Sequence, residues 1–462
     1  MWDESRYVVN AFELLQHKNF IVTTYDGSPD LWATKPPLMI WILAGFMKVF
    51  GYNELAFRLP SALAATITSV AVFNFVKKHT DDLAAAFFSG MALITSIGFI
   101  GAHVARTADT DALMVMFLTL FVFSFYDFLV PTNISEKNQQ PQSYKKLYCA
   151  TAYLALAFLT KSASGLMFLP GSFLLIILFR RYDLLRTAHL YIATLISLLP
   201  CTLYFLIRER MNPGYLSAVW NLDFADRYFQ FHGEHRGPFS FYFSLLLQEQ
   251  FVPWFFLLPF SIIVFIKSKN KSVKNLMLAS FVIGFSFLFI VSLSQCKIKY
   301  YDAGFYPFGA ILVGLAISAL CTALIRNVGN KLIRALVYVA VFAGIYYYPF
   351  RKVLSYANIR PAEAFTYQLK YGPFMDSIYA TGFNEPIKFF ETDYHAHLLF
   401  YSDVYKLKGK KIEIINSLSD VKDGELIATC SPKLKNQINT SYLVKVVAED
   451  ENCSCYKILC TR

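Results

Sequence analysis

Apolar and polar positions are arranged along this chain in long blocks. Apolar runs occupy about 57–76, 83–102, 112–130, 147–162, 164–180, 188–207, 250–267, 276–294, 303–322 and 333–350. Each approaches the roughly 20 residues that carry a helix across the hydrocarbon core, so the pattern predicts ten transmembrane spans. Residues 1–56 hold two amphipathic stretches instead. YVVNAFELLQH (7–17) has helical spacing, and PLMIWILAGFMKVFG (37–51) is too short to cross and reads as a helix lying in the interface. Beyond 350 the blocks break up. EPIKFFE (385–391), KKIEIIN (410–416), GELIATC (424–430) and SYLVKVVAE (441–449) read as short strands between turns. The expected organisation is an outside loop with interfacial helices (1–56), a transmembrane domain of about ten helices (57–350) and a small soluble α/β domain (351–462). The fold class is thus a polytopic α-helical membrane protein with a soluble C-terminal domain on the outside face.

Composition supports this class: 56% of the 462 residues are hydrophobic and 16% charged, too little polar surface for a soluble chain of this size. The net charge of +11 raises the question of a polyanionic partner, and its placement answers it. Lys77-Lys78, Lys145-Lys146, Arg180-Arg181 with Arg186, Lys267 to Lys274 and Arg326 to Arg334 all fall in short connectors, the mark of a cytoplasmic face. The charge therefore reports topology, not nucleic acid. Alternating basic connectors and an even number of spans put both termini and the polar, aromatic loops outside. An outside N-terminus needs a segment to carry it across, so a further helix upstream of Met1 is expected. Among the eight cysteines, Cys149, Cys201 and Cys321 fall in or beside spans and read as packing groups. Cys430, Cys453, Cys455 and Cys460 lie in the outside tail and read as one or two disulfides, with metal binding left open by Cys453-x-Cys455.

Several outside residues are of types that carry chemistry. Asp3 and Glu4 can act as a general base or hold a divalent cation, and equally can cap the helix that starts near Tyr7. Asp109 reads as a cap, with Asp111 beside it and Arg106 upstream as a cation for phosphate or carboxylate. Lys35 is followed by two prolines that fix the backbone. His232, His235 and Arg236 precede Gly237-Pro238 in a loop rich in rings, where imidazole and guanidinium suit a phosphate or a sugar hydroxyl. Lys297, Lys299, Tyr300 and Tyr301 put cations outside, against the positive-inside trend, as an anionic headgroup would require. LTKSASGLMFLPG (159–171) reads as a tight hairpin with Lys161 at its tip. No P-loop, G-x-G-x-x-G, G-x-S-x-G or H-E-x-x-H motif occurs, which disfavours nucleotide-driven and hydrolytic chemistry.

Taken in order, these motifs resemble the GT-C superfamily of lipid-linked glycosyltransferases, in particular the bacterial aminoarabinose transferase and protein O-mannosyltransferase group. The first-loop acidic pair followed by Arg-Tyr falls on Asp3, Glu4, Arg6 and Tyr7, and Lys-Pro-Pro-Leu on Lys35, Pro36, Pro37 and Leu38. Arg106 and Asp111 match the second loop, Thr160, Lys161 and Gly165 the hairpin, and 235–238 the His-Arg-Gly-Pro of the long loop. Ser294, Lys297, Tyr301 and Pro307 complete the set. The family helix that precedes the acidic pair has no counterpart in these residues, and Thr34 stands where close aminoarabinose transferases often have Glu.

The resemblance implies an inner-membrane enzyme with its active site on the periplasmic side. Its donor would be a polyprenyl-phosphate sugar and its acceptor lipid A, a protein or another glycan. Asp3 would be the base of an inverting displacement, with Glu4 and Asp111 also catalytic. Arg6, Tyr7, Lys35, Arg106, His235, Arg236, Lys297 and Tyr301 would hold the donor phosphate. No cofactor is demanded, although the carboxylates leave room for a divalent metal. A lipid or sugar transporter, a glycan polymerase or ligase and a non-catalytic scaffold are the competing classes; a transporter should show broken spans with polar residues at mid-membrane.

Overall fold

The computed structural model describes residues 2–130, 144–229, 235–357 and 367–462, and His232 lies outside them. The chain folds as two compact units: Met1–Lys18, Thr24–Ser28 and Ile359–Arg462 form the smaller, and Asn19–Thr23 with Pro29–Asn358 the larger. Residues 1–56, expected as one outside loop, are thus divided between the two. Helix α1 (Trp2–His17) and the short hairpin of β1 (Thr24–Tyr25) and β2 (Ser28–Pro29) open the chain.

The larger unit is helical. It contains α2 (Leu38–Phe50), α3 (Glu54–Thr80), α4 (Leu83–Ile94), α5 (Ile97–Ile100), α6 (Thr110–Leu129), α7 (Lys145–Lys161) and α8 (Leu169–Leu178). There follow α9 (Ala188–Met211), α10 (Tyr215–Val219), α11 (Phe241–Leu245), α12 (Leu258–Lys267), α13 (Lys271–Leu293), α14 (Tyr306–Ile325) and α15 (Lys331–Ala357). Among the described residues six helices are long and apolar enough to cross a membrane, and two bent pairs raise the total to eight if each pair is one span.

This differs from the ten expected spans at identifiable places. The run 83–102 yields α4, whose 12 residues extend only about 18 Å, short of the hydrocarbon thickness. It stops where Thr95 and Ser96 turn their hydroxyls back onto the carbonyls of Met91 and Ala92, offering the backbone an alternative to further helix. The runs 147–162 and 164–180 form one pair bent by 79°, not two antiparallel spans. The bend begins at Ser162, at φ 51°, and continues through Gly165, where a Cβ would fall 2.4 Å from the Ala157 carbonyl oxygen. Only glycine lets the chain fold that closely against α7.

Nearly all of α6 is buried, with Phe123 stacked on Phe75 of α3 at 3.8 Å and edge-on to Phe308 of α14. By contrast α15 buries only Tyr346 and Pro349, and α9 exposes Leu195, Leu199, Leu203 and Leu206, as helices facing lipid should.

In the smaller unit a five-stranded mixed sheet has the order β4-β3-β5-β7-β6, with β3 (Ile387–Phe390), β4 (Ile412–Ile415), β5 (Leu426–Thr429), β6 (Tyr442–Glu449) and β7 (Ser454–Thr461). Strands β4, β3 and β5 are parallel, while β7 runs antiparallel to both β5 and β6. Four of the strands coincide with the runs read from the sequence; β7 does not. The helix Ala396–Leu407 carries Phe400 edge-on to Phe12 of α1, at 6.0 Å. One disulfide, Cys430–Cys453, ties the strand ends of β5 and β7. Cys455 and Cys460 form no second one, because their cross-strand neighbours are Ala428, Ala448 and Leu443.

Candidate functional site

In the larger unit the start of α6, the end of α7, the end of α13 and the 3-10 turn Lys299–Phe305 meet around a cavity of about 410 Å³. Asp109 takes the N-cap position of α6, but its carboxylate makes no cap bond. It accepts instead from the Thr107 hydroxyl at 2.7 Å and lies 3.1 Å from His103 Nδ1, and the His103 ring stacks on Tyr300. Two residues on, Asp111 points into the bundle. Both its oxygens lie 2.6 Å from Lys161 Nζ. Lys161 is therefore no exposed hairpin tip: it ends α7 buried, its amine also facing the rings of Tyr301 at 5.0 Å and Tyr300 at 5.7 Å. A carboxylate and two aromatic faces replace the water this ammonium has lost.

Lys35 reaches the same cavity from the segment before α2. Asp30 Oδ1 accepts from the backbone N–H groups of Trp32 and Ala33, making a tight turn. Lys35 Nζ lies 3.9 Å from Asp223 and 5.9 Å from the Trp32 ring centre. Lys35, Asp111, Lys161, Asp223, Ser294 and Tyr301 thus share one lining with an apolar wall of Met114, Met167, Phe287 and Val291. Charged groups of both signs beside an apolar wall suit an amphiphile with a polar head.

A second group of expected residues gathers beside α13. Arg236 forms an isolated β-bridge with Cys296, and the Lys297 N–H donates to the His235 carbonyl at 2.7 Å. Gly237 permits this approach, since a Cβ there would fall 2.8 Å from Lys297 Cγ. The Lys297 amine is turned inward, donating to the Ser292 carbonyl at 2.6 Å over the face of Tyr242. Burial pushes it below the usual lysine range.

Arg106 does not line the cavity. Its guanidinium donates to the carbonyls of Tyr356 and Ala357, at 3.1 Å each, closing the end of α15 as a C-terminal cation does. Asp3 and Glu4 stand in the first turn of α1, in the smaller unit, a position that favours acids at a helix start. There Arg6 lies 4.3 Å over the ring of Tyr25, which stacks on Tyr394, and Tyr7 is buried.

The sequence carried Lys161 and Ser294 as motif members without their partners, and it gave no sign of Asp223. Asp223 lies in a π-helical stretch, Trp220–Phe229, upstream of the His235–Pro238 motif of the same loop.

A family model described as dolichyl-phosphate-mannose-protein mannosyltransferase matches residues 34–205. An uncharacterized protein of Aquifex aeolicus is 26% identical over 77% of this chain and 66% of its own length. An undecaprenyl phosphate-alpha-4-amino-4-deoxy-L-arabinose arabinosyl transferase of Pseudomonas savastanoi is 24% identical over 53% of this chain. The chain spans less than half of that transferase, 44%. Among solved structures, ArnT from Cupriavidus metallidurans bound to undecaprenyl phosphate superposes with a TM-score of 0.72 at 16% identity, covering 98% of this chain and 93% of that one. In sequence and in fold, the chain resembles the GT-C lipid-linked glycosyltransferases of the aminoarabinose transferase and mannosyltransferase kind.

Proposed function

We propose that this multi-span membrane protein is a glycosyltransferase. It moves a sugar from a polyprenyl-phosphate donor to a lipid, protein or glycan acceptor at the periplasmic face of the inner membrane. The observation that carries this reading is the cavity in which Lys35 and Lys161 stand beside an apolar wall. A donor of this class has one anionic phosphodiester joined to a hydrocarbon too apolar to leave the membrane, and that combination fits such a lining. The undecaprenyl phosphate bound to the solved neighbour supports the choice of lipid.

The roles divide by how each cation is held. Lys161 is locked by Asp111, which makes it a fixed dipole at the cavity wall. Lys35, 3.9 Å from Asp223 on the same cavity, is the cation proposed to meet the phosphate. Tyr301, with His235, Arg236 and Lys297 beside α13, completes the proposed phosphate-binding set, whereas Arg106 is spent on the end of α15 and is left out of it. On the order of the motifs Asp3 is the base, with Glu4 beside it.

Asp3 takes the proton of the acceptor hydroxyl or amine, whose freed electron pair attacks the anomeric carbon. The bond from that carbon to the phosphate oxygen breaks, its electrons leave with polyprenyl phosphate, and the configuration inverts. The lysines stabilise the charge gained by the leaving phosphate, so no general acid is required. The test is mass spectrometry of envelope lipids and glycoproteins from a strain lacking the gene. One sugar should be missing from one glycoconjugate, and an unchanged profile overturns the proposal.

A further inference from the structure

We propose that Arg208 and Tyr215 are positioning residues that hold Lys35 in place for a lipid-linked phosphate; this rests on the functional reading above. Arg208 lies in the last turn of α9, one of the helices apolar enough to span a membrane. A cation at the end of a span ordinarily snorkels to water. This one is turned inward and is 0% exposed. Its Nη1 donates to the Tyr204 hydroxyl at 2.7 Å, its Nη2 to the Asp30 carbonyl at 2.8 Å, and its plane lies 4.2 Å over the Tyr215 ring. Nε has no acceptor among the described residues. An apolar side chain could pack here without that desolvation cost, so the guanidinium specifies something packing alone would not: the position of a carbonyl.

The carbonyls held in this way lie just before Lys35. Tyr215, also buried, donates its hydroxyl to the Thr34 carbonyl at 2.6 Å, one residue before Lys35. The Tyr204 hydroxyl in turn donates to the Ile21 carbonyl at 3.2 Å. After Lys35 come Pro36 and Pro37, which have no N–H to donate and bias Lys35 toward an extended backbone. Such a segment has few ladder bonds of its own. The end of α9 and the start of α10 supply fixed points from outside it, at Asp30 and Thr34, so that the Lys35 amine enters the cavity from an anchored backbone.

The test is a double-mutant cycle on undecaprenyl phosphate binding, measured by titration of detergent-purified full-length protein. Tyr215→Phe keeps the ring under Arg208 and removes the hydroxyl that bonds the Thr34 carbonyl. It should weaken binding about five- to tenfold, the worth of one uncharged hydrogen bond. In a Lys35→Ala background the same change should cost less than about twofold, because the clamp then has nothing to aim. Arg208→Lys, which can still reach Asp30, should fall between wild type and Arg208→Met, with Arg208→Lys monitored for an unchanged unfolding midpoint. An equal loss with and without Lys35, or no loss from Tyr215→Phe, overturns the clamp. Failure of the wild-type protein to bind undecaprenyl phosphate overturns the functional reading itself, and the clamp with it.

Discussion

Replacing Lys161 by methionine isolates the pair at the centre of the site. Methionine keeps the unbranched length and apolar volume but leaves the Asp111 carboxylate alone. The two side chains are only 6% and 3% exposed, so water cannot take over the solvation that the ammonium supplied. Removing one partner of such a pair costs roughly 3–5 kcal/mol, whereas replacing both with apolar groups of similar size is near neutral or stabilising. In a unit of this size that single loss should lower the unfolding midpoint by about 6–10 °C, at about 2 °C per kcal/mol. Asp111→Leu should cost a similar amount, and the double mutant should return to within about 2 °C of wild type. The four proteins form a cycle read by fluorescence-monitored unfolding in detergent, with transfer activity measured in parallel. The double mutant should recover stability without recovering transfer, since the cavity has lost a cation. A coupling energy below about 0.5 kcal/mol, with the single effects simply adding, would refute the buried-pair reasoning.

Three further outcomes are expected. Asp3→Asn should abolish sugar transfer while the protein still inserts and binds undecaprenyl phosphate; near-normal turnover would remove Asp3 as the base. Cys430→Ser opens a disulfide with a sequence separation of 23 and should destabilise the smaller unit by about 3 kcal/mol, seen as faster proteolysis of the C-terminal segment. An unchanged digestion rate, with and without reductant, would contradict that. Burial, with Asp26 adding and Lys406 opposing, holds the Asp403 carboxyl above its usual range. The folded state then binds this proton more tightly than the unfolded chain. The associated stability is therefore present at low pH and lost as pH rises from the unfolded value, about 4, through the folded one. Asp403→Asn should flatten that fall in the midpoint–pH curve, and an identical curve would exclude the linkage.

Local composition marks the stretches apolar enough to enter a membrane, but length alone overcounts the spans, since the run 83–102 gives only the 12-residue α4. Four of the five sheet strands were legible for a similarly local reason. The ordered motifs also marked Lys35, Asp111 and Tyr301 as members of one site, and the structure places all three on one cavity. The turn around Gly165 is legible as a hairpin but its 79° angle is not, and the break at Thr95–Ser96 is invisible because two residues hardly change the hydropathy of a long window, though they decide whether a helix continues.

The partners, in contrast, are set by packing between segments far apart in the chain. Asp111 and Lys161 are 50 residues apart, Arg208 and Asp30 178 apart, and α1 shares its unit with a segment that begins at Ile359. Whether a charge is catalytic, locked in a pair or spent on a helix end depends on what stands within about 4 Å of it, where the Coulomb and desolvation terms become large. That distance belongs to the packed bundle. Arg106 and Arg208 show the difference: both are arginines at the ends of apolar segments, yet one closes α15 and the other is buried beneath the segment that carries Lys35.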